Sequence, residues 1–303
     1  MYDIVIVGAG PAGLTAAIYG RRAAKTVLVL DAKAWGGQII NTPDIENYPV
    51  VAHISGFDFA NDLYNQATAL GAEVRLERVT QVRDLGDRKL VTTNQGEYEA
   101  KALIIATGSE NRKLGVEGET GLIGRGVSYC ATCDGNFFRK RDVAVVGGGN
   151  TALEDALYLA DLANKVYLIH RRDQFRGEET TVARLKERDN VEFVYNSTVT
   201  RLVAEKRLTA IEVTNKLDGS VRTLEVKGLF VAVGRIPENG IFAELLDLDP
   251  AGYAASGEDC RTRTEGLFVA GDCRAKGVHQ LTTAVADGAV AALAACAYLD
   301  RQG

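Results

Sequence analysis

Short, nearly continuous apolar runs alternate along the chain with Ala-rich, helix-forming stretches. Residues 3–7 read as a buried strand that runs into Gly8-Ala9-Gly10-Pro11-Ala12-Gly13, and residues 14–24 follow with helical character. Residues 26–30 form a second apolar, β-branched run closed by Asp31. The same order returns later. Residues 142–146 read as a strand, Gly147-Gly148-Gly149-Asn150-Thr151-Ala152 as a glycine turn, residues 151–163 as a helix and residues 165–169 as a strand. Strand, glycine turn, helix and strand make a dinucleotide-binding βαβ unit. Its glycines let backbone N–H groups approach a pyrophosphate at the helix N-terminus. One such motif is weak evidence; two in one chain, each in full context, are strong.

Each unit closes alike. Leu103-Ile104-Ile105-Ala106-Thr107-Gly108 is a buried strand returning beneath the first turn, and Leu229-Phe230-Val231-Ala232-Val233-Gly234 beneath the second. Too little chain follows Gly234 for a third such domain. It holds Gly266-Leu267-Phe268-Val269-Ala270-Gly271-Asp272 and a helical tail from about Leu281. The simplest topology inserts the second unit into the first. The expected fold is α/β: two Rossmann-like domains, each a central parallel sheet with an antiparallel excursion, around residues 88–101 and 208–227. The expected boundaries are 1–112 and 240–303 for the outer domain and 113–239 for the inserted one.

A length of 303 residues fits two domains. Hydrophobic residues are 46% and charged residues 25%, which argues against disorder. The net charge of −5 makes general nucleic-acid binding a poor candidate. Five cysteines, at 130, 133, 260, 273 and 296, are an odd count that does not suit a secreted disulfide framework. No basic segment precedes an apolar run at the N-terminus, and the apolar stretch 284–299 contains Asp287 and is short for a membrane span. The expectation is a cytoplasmic protein with no membrane association.

The ends of the second strands separate the two nucleotide sites. Asp31 suits the two ribose hydroxyls of an unphosphorylated adenosine, as in FAD or NAD. The matching position in the second unit opens His170-Arg171-Arg172, with Arg176 one turn later. An acid is missing there, and guanidinium groups suit a 2′-phosphate. The second site is expected to take NADPH.

Cys130-Ala131-Thr132-Cys133 precedes Asp134-Gly135. A structural zinc site wants four ligands. The other cysteines form no close pair and the histidines, at 53, 170 and 279, are scattered, so no metal is expected. A redox disulfide fits better, because C-x-x-C thiols can have lowered pKa values. Asp134 is a candidate proton donor or acceptor for the departing thiolate. Two dinucleotide sites and a dithiol suggest an electron relay from nicotinamide to flavin to disulfide.

Along essentially its whole length the sequence resembles the low-molecular-weight thioredoxin reductases. The resemblance rests on Gly8 to Gly13, Gly36-Gly37-Gln38, Glu46-Asn47-Tyr48-Pro49, Ala106-Thr107-Gly108, Cys130 to Gly135, Gly147 to Ala152, His170 to Arg176 and Gly271-Asp272. It implies a homodimeric, NADPH-dependent, FAD-containing thioredoxin-disulfide reductase. It implies that Cys133 faces the flavin, that Cys130 attacks the disulfide of thioredoxin and that Asp134 is the general acid/base. The implied FAD contacts are Gly8, Gly10, Pro11, Ala12, Gly13, Asp31, Gly36, Gly37, Gln38, Asn47, Ala106, Thr107, Gly108 and Gly271. Val79 would meet the adenine through its backbone, Asp272 the ribityl chain, and Gln280, Leu281 and Thr282 the isoalloxazine edge. The implied NADPH contacts are Gly147, Gly149, Asn150, Thr151, Glu154, His170, Arg171, Arg172 and Arg176.

Five positions depart from the family pattern: Val50-Val51 in place of Gly-Phe, Asp31 where Glu is frequent, Cys273 after Gly271-Asp272, and His279 before Gln280. Rival readings are a reductase serving a peroxiredoxin or another thioredoxin-like partner, a ferredoxin-driven flavoprotein, and a non-enzymatic nucleotide sensor. The ferredoxin reading leaves Arg171, Arg172 and Arg176 without a purpose, and the sensor reading leaves the dithiol idle.

Overall fold

The computed structural model describes residues 1–302. The chain divides into two compact units, 1–110 with 236–303, and 111–235. Each passage between them is made by a three-residue strand, Ser109–Asn111 and Arg235–Pro237.

The first unit is built on a seven-stranded sheet. Tyr2–Val7 lies at its centre, paired in parallel with Val27–Asp31 on one side and Glu97–Ile105 on the other. Glu73–Leu76 extends the parallel edge. The strand Glu97–Ile105 changes partner along its length. Its first half pairs antiparallel with Lys89–Thr93, which pairs in turn with Val79–Asp84. Its last residues pair in parallel with Leu267–Val269. The C-terminal part of the chain thus completes the sheet begun by the N-terminal part.

Both faces of the central strand are covered, so its sequence is apolar throughout. Ile4 and Ile6 enter a core with Leu14, Ala17, Ala291 and Ala295, from helices Pro11–Arg22 and Leu281–Gln302. Val5 and Val7 face the opposite way, into a core with Val82, Val91, Phe242 and Leu246. The second unit repeats this plan. Its five-stranded sheet is parallel throughout, in the order Val191–Val194, Lys165–Ile169, Asp142–Gly147, Gly228–Ala232, Val127–Ser128. Val143 and Val145 pack on Leu153, Ala156 and Leu159 of helix Asn150–Ala160. Ala144 and Val146 pack under a three-stranded antiparallel sheet through Ile211, Val213 and Leu224.

Several boundaries differ from the sequence reading. The first helix begins at Pro11, where the missing N–H costs nothing, and ends at Arg22 because Ala24 turns left-handed at φ 59°. The antiparallel excursions gain the strands Val79–Asp84 and Ser197–Ala204, whose outward positions are too polar to announce them. Helix Gly56–Ala69 was not expected, although Ser55 caps it, accepting the Asp58 N–H at 3.0 Å. The last helix runs through Leu281–Gln302, starting where it was expected and extending past the apolar stretch 284–299 through the exposed polar residues Asp300, Arg301 and Gln302. By length and composition it is long and apolar enough to cross a membrane. Its packing on helix Pro11–Arg22 and the ion pairs of buried Asp287 in its second turn make it a core helix.

Candidate active site

The two glycine turns are built alike. Gly8, at φ +107°, ends the first strand with its Cα against the returning strand: a β-carbon there would lie 2.2 Å from the Ala106 carbonyl oxygen. At Gly147 the corresponding distance, to the Ala232 oxygen, is 2.4 Å. Gly10 and Gly149, the residues that open the two helices, have nothing within 4 Å of a β-carbon. A tight turn below an open helix N-terminus is the cradle a pyrophosphate requires. The turn residues Ala12 and Gly13 are buried beneath it, as Ala152 is in the second unit.

The acids and cations fall where strand order puts them. Asp31 Oδ2 accepts the Ala9 N–H at 2.8 Å, and Oδ1 the Lys33 N–H at 2.9 Å, which holds the carboxylate at the rim of the first turn. In the second unit the loop carrying Arg171, Arg172 and Arg176 folds back on the glycines, the Arg176 N–H donating to the Gly148 oxygen at 2.7 Å. Arg171, Arg172 and the Arg176 side of the loop stand at the surface. His170 is not part of that surface group. It is 5% exposed, stacks on Phe175 with centroids 5.1 Å apart, and lies so close beneath Gly148 that a β-carbon there would meet its ring at 2.1 Å. Burial lowers its pKa and keeps the ring neutral. His170 therefore floors the turn, whereas the guanidinium groups face outward.

Cys130 and Cys133 form a disulfide, with Cα atoms 5.3 Å apart, across the short helix Ala131–Asp134. Ser128, 4% exposed, braces its start: its hydroxyl accepts the Cys130 N–H at 3.1 Å and donates to the Cys130 oxygen at 3.2 Å. Burial raises the Asp134 carboxyl, with the Ser128 hydroxyl opposing it. A group so raised holds a proton more readily, as a proton donor to a departing thiolate must. Tyr129 anchors the approach to Cys130 through a 2.6 Å hydrogen bond to Glu119, which also accepts the Leu114 and Gly115 N–H groups. On the far side Gly135 packs against Tyr158 and Leu159 of helix Asn150–Ala160. One turn earlier on that helix, Asp155 accepts the Ala131 N–H; burial and the neighbouring Glu154 raise its carboxyl to about 7 against the pull of Arg235.

Comparison with known proteins decides what this arrangement belongs to. Residues 2–288 match the family model described as pyridine nucleotide-disulphide oxidoreductase. A thioredoxin reductase of Listeria innocua is 42% identical over 301 residues, covering 99% of this chain and 94% of its own length. A bifunctional thioredoxin reductase/thioredoxin of Mycobacterium leprae is 40% identical over 97% of this chain and 65% of its own length. The crystal structure of thioredoxin reductase from Streptococcus pyogenes superposes with a TM-score of 0.95 at 41% identity, covering 99% of both chains. The chain belongs to the thioredoxin reductases. It is a member of the pyridine nucleotide-disulphide oxidoreductases, with the α/β fold of two Rossmann-like domains read from its sequence.

The segments that the family resemblance assigns to the flavin surround the first glycine turn of this reductase. Gly36 donates its N–H to the Ala9 oxygen at 2.7 Å, and Gly37 sits 3.3 Å, measured from its would-be β-carbon, from the Gly10 Cα. Gln38 is exposed on the turn Gly37–Asn41. The Asn47 amide reaches Gln280 Oε1 at 3.4 Å, which brings the 47 loop to the N-terminus of the last helix, where Leu281 is partly buried and Thr282 exposed. Val79 is buried at the start of its strand. Thr107 and Gly108 are partly exposed where the returning strand ends. Asn150, Thr151 and Glu154 are exposed on the first turns of the second helix.

Cys273 is fully buried, its thiol donating to the Ala270 oxygen at 3.3 Å. Burial pushes its pKa up, as it does that of Cys296, and that of Cys260 to about 12. None of the three has thiolate character. The departure at Val50 has a backbone consequence: this β-branched residue stands at φ 76° with its side chain in solvent. A left-handed β-branched residue costs roughly 1–2 kcal/mol, and a glycine returns roughly 0.5–1 kcal/mol of that through unfolded-state entropy. Val50→Gly is expected to raise stability by about 0.5–1 kcal/mol, read as a higher denaturation midpoint; a lowered midpoint would show that the loop holds Val50 by contacts that outweigh the strain.

Ser128, Glu119, Asp155, Arg274, Lys276 and Asp287 were not among the residues expected from sequence. The first three are legible only as neighbours of Cys130-Ala131-Thr132-Cys133 in space. The Arg274–Asp287 pair had a faint signal, an acid inside the apolar stretch 284–299.

Proposed function

We propose that this protein reduces the disulfide of thioredoxin at the expense of NADPH, with FAD as the intermediate carrier. The first unit, from its glycine turn to Asp272 and Gln280–Thr282, is the FAD-binding domain in this reading, and the second is the NADPH-binding domain. Open helix N-termini above pressed glycine turns fit both groups, and the difference between Asp31 and Arg171-Arg172 fits their different riboses. When bound, these cofactors supply a hydride and deliver its electron pair to a disulfide.

The chain's own chemistry is thiol–disulfide exchange. The Cys130 thiolate attacks one sulfur of the thioredoxin disulfide, forming a mixed disulfide and expelling a thioredoxin thiolate that takes up a proton. The Cys133 thiolate then attacks Cys130 Sγ, which regenerates the Cys130–Cys133 disulfide and releases the second thioredoxin thiol. Two electrons and two protons pass to thioredoxin. Asp134, half-buried directly after the pair, accepts and returns the proton.

The observation that carries this reading is the Cys130–Cys133 disulfide next to a half-buried acid, on the same unit as the arginine-terminated nucleotide turn. The thioredoxin fused to the M. leprae relative favours thioredoxin over a peroxiredoxin as partner. A homodimer in the cytoplasm, where NADPH maintains reduced thiols, completes the reading. Purified protein reconstituted with FAD is expected to oxidise NADPH only while oxidised thioredoxin is present, with thioredoxin thiols appearing in step. A flavoprotein that oxidises NADPH but forms no thioredoxin thiols would reject it.

A further inference from the structure

Helix Leu281–Gln302 carries an acid in the interior of the first unit. Its place is set by backbone contact: Gly288 lies against Ala12, where a β-carbon would stand 2.2 Å from the Ala12 oxygen. This seats the neighbouring Asp287 beneath the turn Gly271–Cys273. Asp287 Oδ2 accepts the Gly271 N–H at 3.0 Å, Lys276 Nζ at 3.0 Å and Arg274 Nε at 3.3 Å, while Oδ1 accepts Arg274 Nη2 at 3.0 Å. The carboxylate is fully used.

Two cations on one acid leave a positive charge in a buried place. Arg274 spends its remaining donors on carbonyls, with Nη1 2.7 Å from the Gly257 oxygen and 3.3 Å from the Ser256 oxygen. Lys276, its side chain 9% exposed, faces a second acid, Asp272 Oδ1, at 3.6 Å. Asp272 supplies the balancing charge, and an uncompensated buried cation is what its absence would leave. Lys276 Nζ also lies 3.3 Å from Thr283 Oγ1. That hydroxyl accepts the Gln280 N–H at 3.1 Å and donates to the Val278 and Gln280 oxygens at 3.1 and 2.9 Å. One ammonium therefore touches the turn bearing Asp272 and the segment leading into Gln280–Thr282.

We propose that Lys276 is a positioning residue of the flavin site: anchored by Asp287, it aims the Asp272 carboxylate and ties the Gly271–Asp272 turn to the Gln280–Thr282 segment. This rests on the reading of the first unit as the FAD-binding domain. Lys276 acts through other residues. A compact point charge on a flexible stem suits the task, since three donors can serve an acid on each side and a hydroxyl between them.

The test is FAD affinity, measured by stripping the flavin from the whole protein and following flavin fluorescence as FAD is returned. Lys276→Met is expected to bind FAD about tenfold more weakly or worse, and Lys276→Arg to recover most of the loss. Because Lys276 acts through Asp272, the double variant Asp272→Asn/Lys276→Met is expected to bind within about twofold of Asp272→Asn alone. A merely structural lysine would instead add its full loss to the double variant. Should Lys276→Met not fold, Lys276→Gln, which keeps a donor for Asp287 and Thr283 but no charge, reads the same comparison. Wild-type protein that takes up no FAD would overturn the flavin reading and this one together. Wild-type protein that takes up FAD, with Lys276→Met or Lys276→Gln equal to it or with losses that simply multiply, overturns this one alone.

Discussion

Cys130→Ser is expected to lower NADPH-dependent thioredoxin reduction by roughly 10³-fold or more, the scale on which an essential nucleophile is missed. Oxidation of NADPH with an artificial one-electron acceptor, which needs no dithiol, is expected to survive. The substitution exchanges sulfur for oxygen and leaves the Ser128 hydrogen bonds of the turn in place, since those run through the Cys130 backbone, so lost activity would report chemistry and not a collapsed loop. Cys133→Ser is expected to be equally inactive in turnover but different in trapping. It retains the attacking thiol and should hold thioredoxin as a mixed disulfide on Cys130, whereas Cys130→Ser should trap nothing. Gel analysis without reductant reads this directly. A trapped adduct on Cys133 in the Cys130→Ser protein would reverse the assigned roles. Substantial turnover in either variant would move the relay elsewhere, and the buried thiols Cys260, Cys273 and Cys296 are poorly placed to take it up.

What the sequence disclosed and what it concealed follow from the range of the interactions involved. The two glycine turns are local. A strand apolar on both faces, a run of glycines and a helix opened at Pro11 or Asn150 all lie within one short stretch, so residue order alone reveals them; the press of Gly8 on Ala106 and of Gly147 on Ala232 is long-range. The difference between Asp31 and Arg171-Arg172 is legible for the same reason, because both stand where the second strand of their unit ends. His170 shows the limit of that reasoning: its position in the sequence groups it with the arginines, yet the loop turns its ring under Gly148 and the guanidinium groups out. The supports of the redox turn are set by packing. Asp155 is remote from the cysteines in sequence and meets Ala131 only because Gly135 lets helix Asn150–Ala160 approach. Lys276 reads as a solvated lysine in a polar loop until the last helix brings Asp287 beneath it. Helix Gly56–Ala69 is a different case. Its Ser55-x-x-Asp58 start is a local signal, but the few buried positions that follow, Phe59, Ala60 and Ala67, make a thin apolar stripe.

Arg171→Ala combined with Arg172→Ala is expected to weaken apparent NADPH affinity by well over tenfold and to leave NADH nearly unchanged. Each charge-assisted contact to a phosphate is worth about 1.5–3 kcal/mol, and about 1.4 kcal/mol is a factor of ten, so loss of two such contacts exceeds that factor even when they share one phosphate. The reason for selectivity is positional. The loop is fastened to the glycine turn by the Arg176 and Gly177 N–H groups, which donate to the Gly148 oxygen, and those bonds do not depend on the guanidinium groups. The floor of the turn, His170 stacked on Phe175, also stays in place. Pyrophosphate binding at the helix N-terminus is therefore expected to stay intact in the variant, with only the proposed contacts to the 2′-phosphate lost. Both arginines are exposed, so their attraction is screened by salt. The wild-type preference for NADPH is accordingly expected to shrink as ionic strength rises, while the variant's KM for NADH stays flat. Steady-state kinetics with both cofactors at two salt concentrations measure this. Equal losses for NADPH and NADH would mean that the arginines support the turn itself, and an unchanged NADPH preference would place the 2′-phosphate away from this loop.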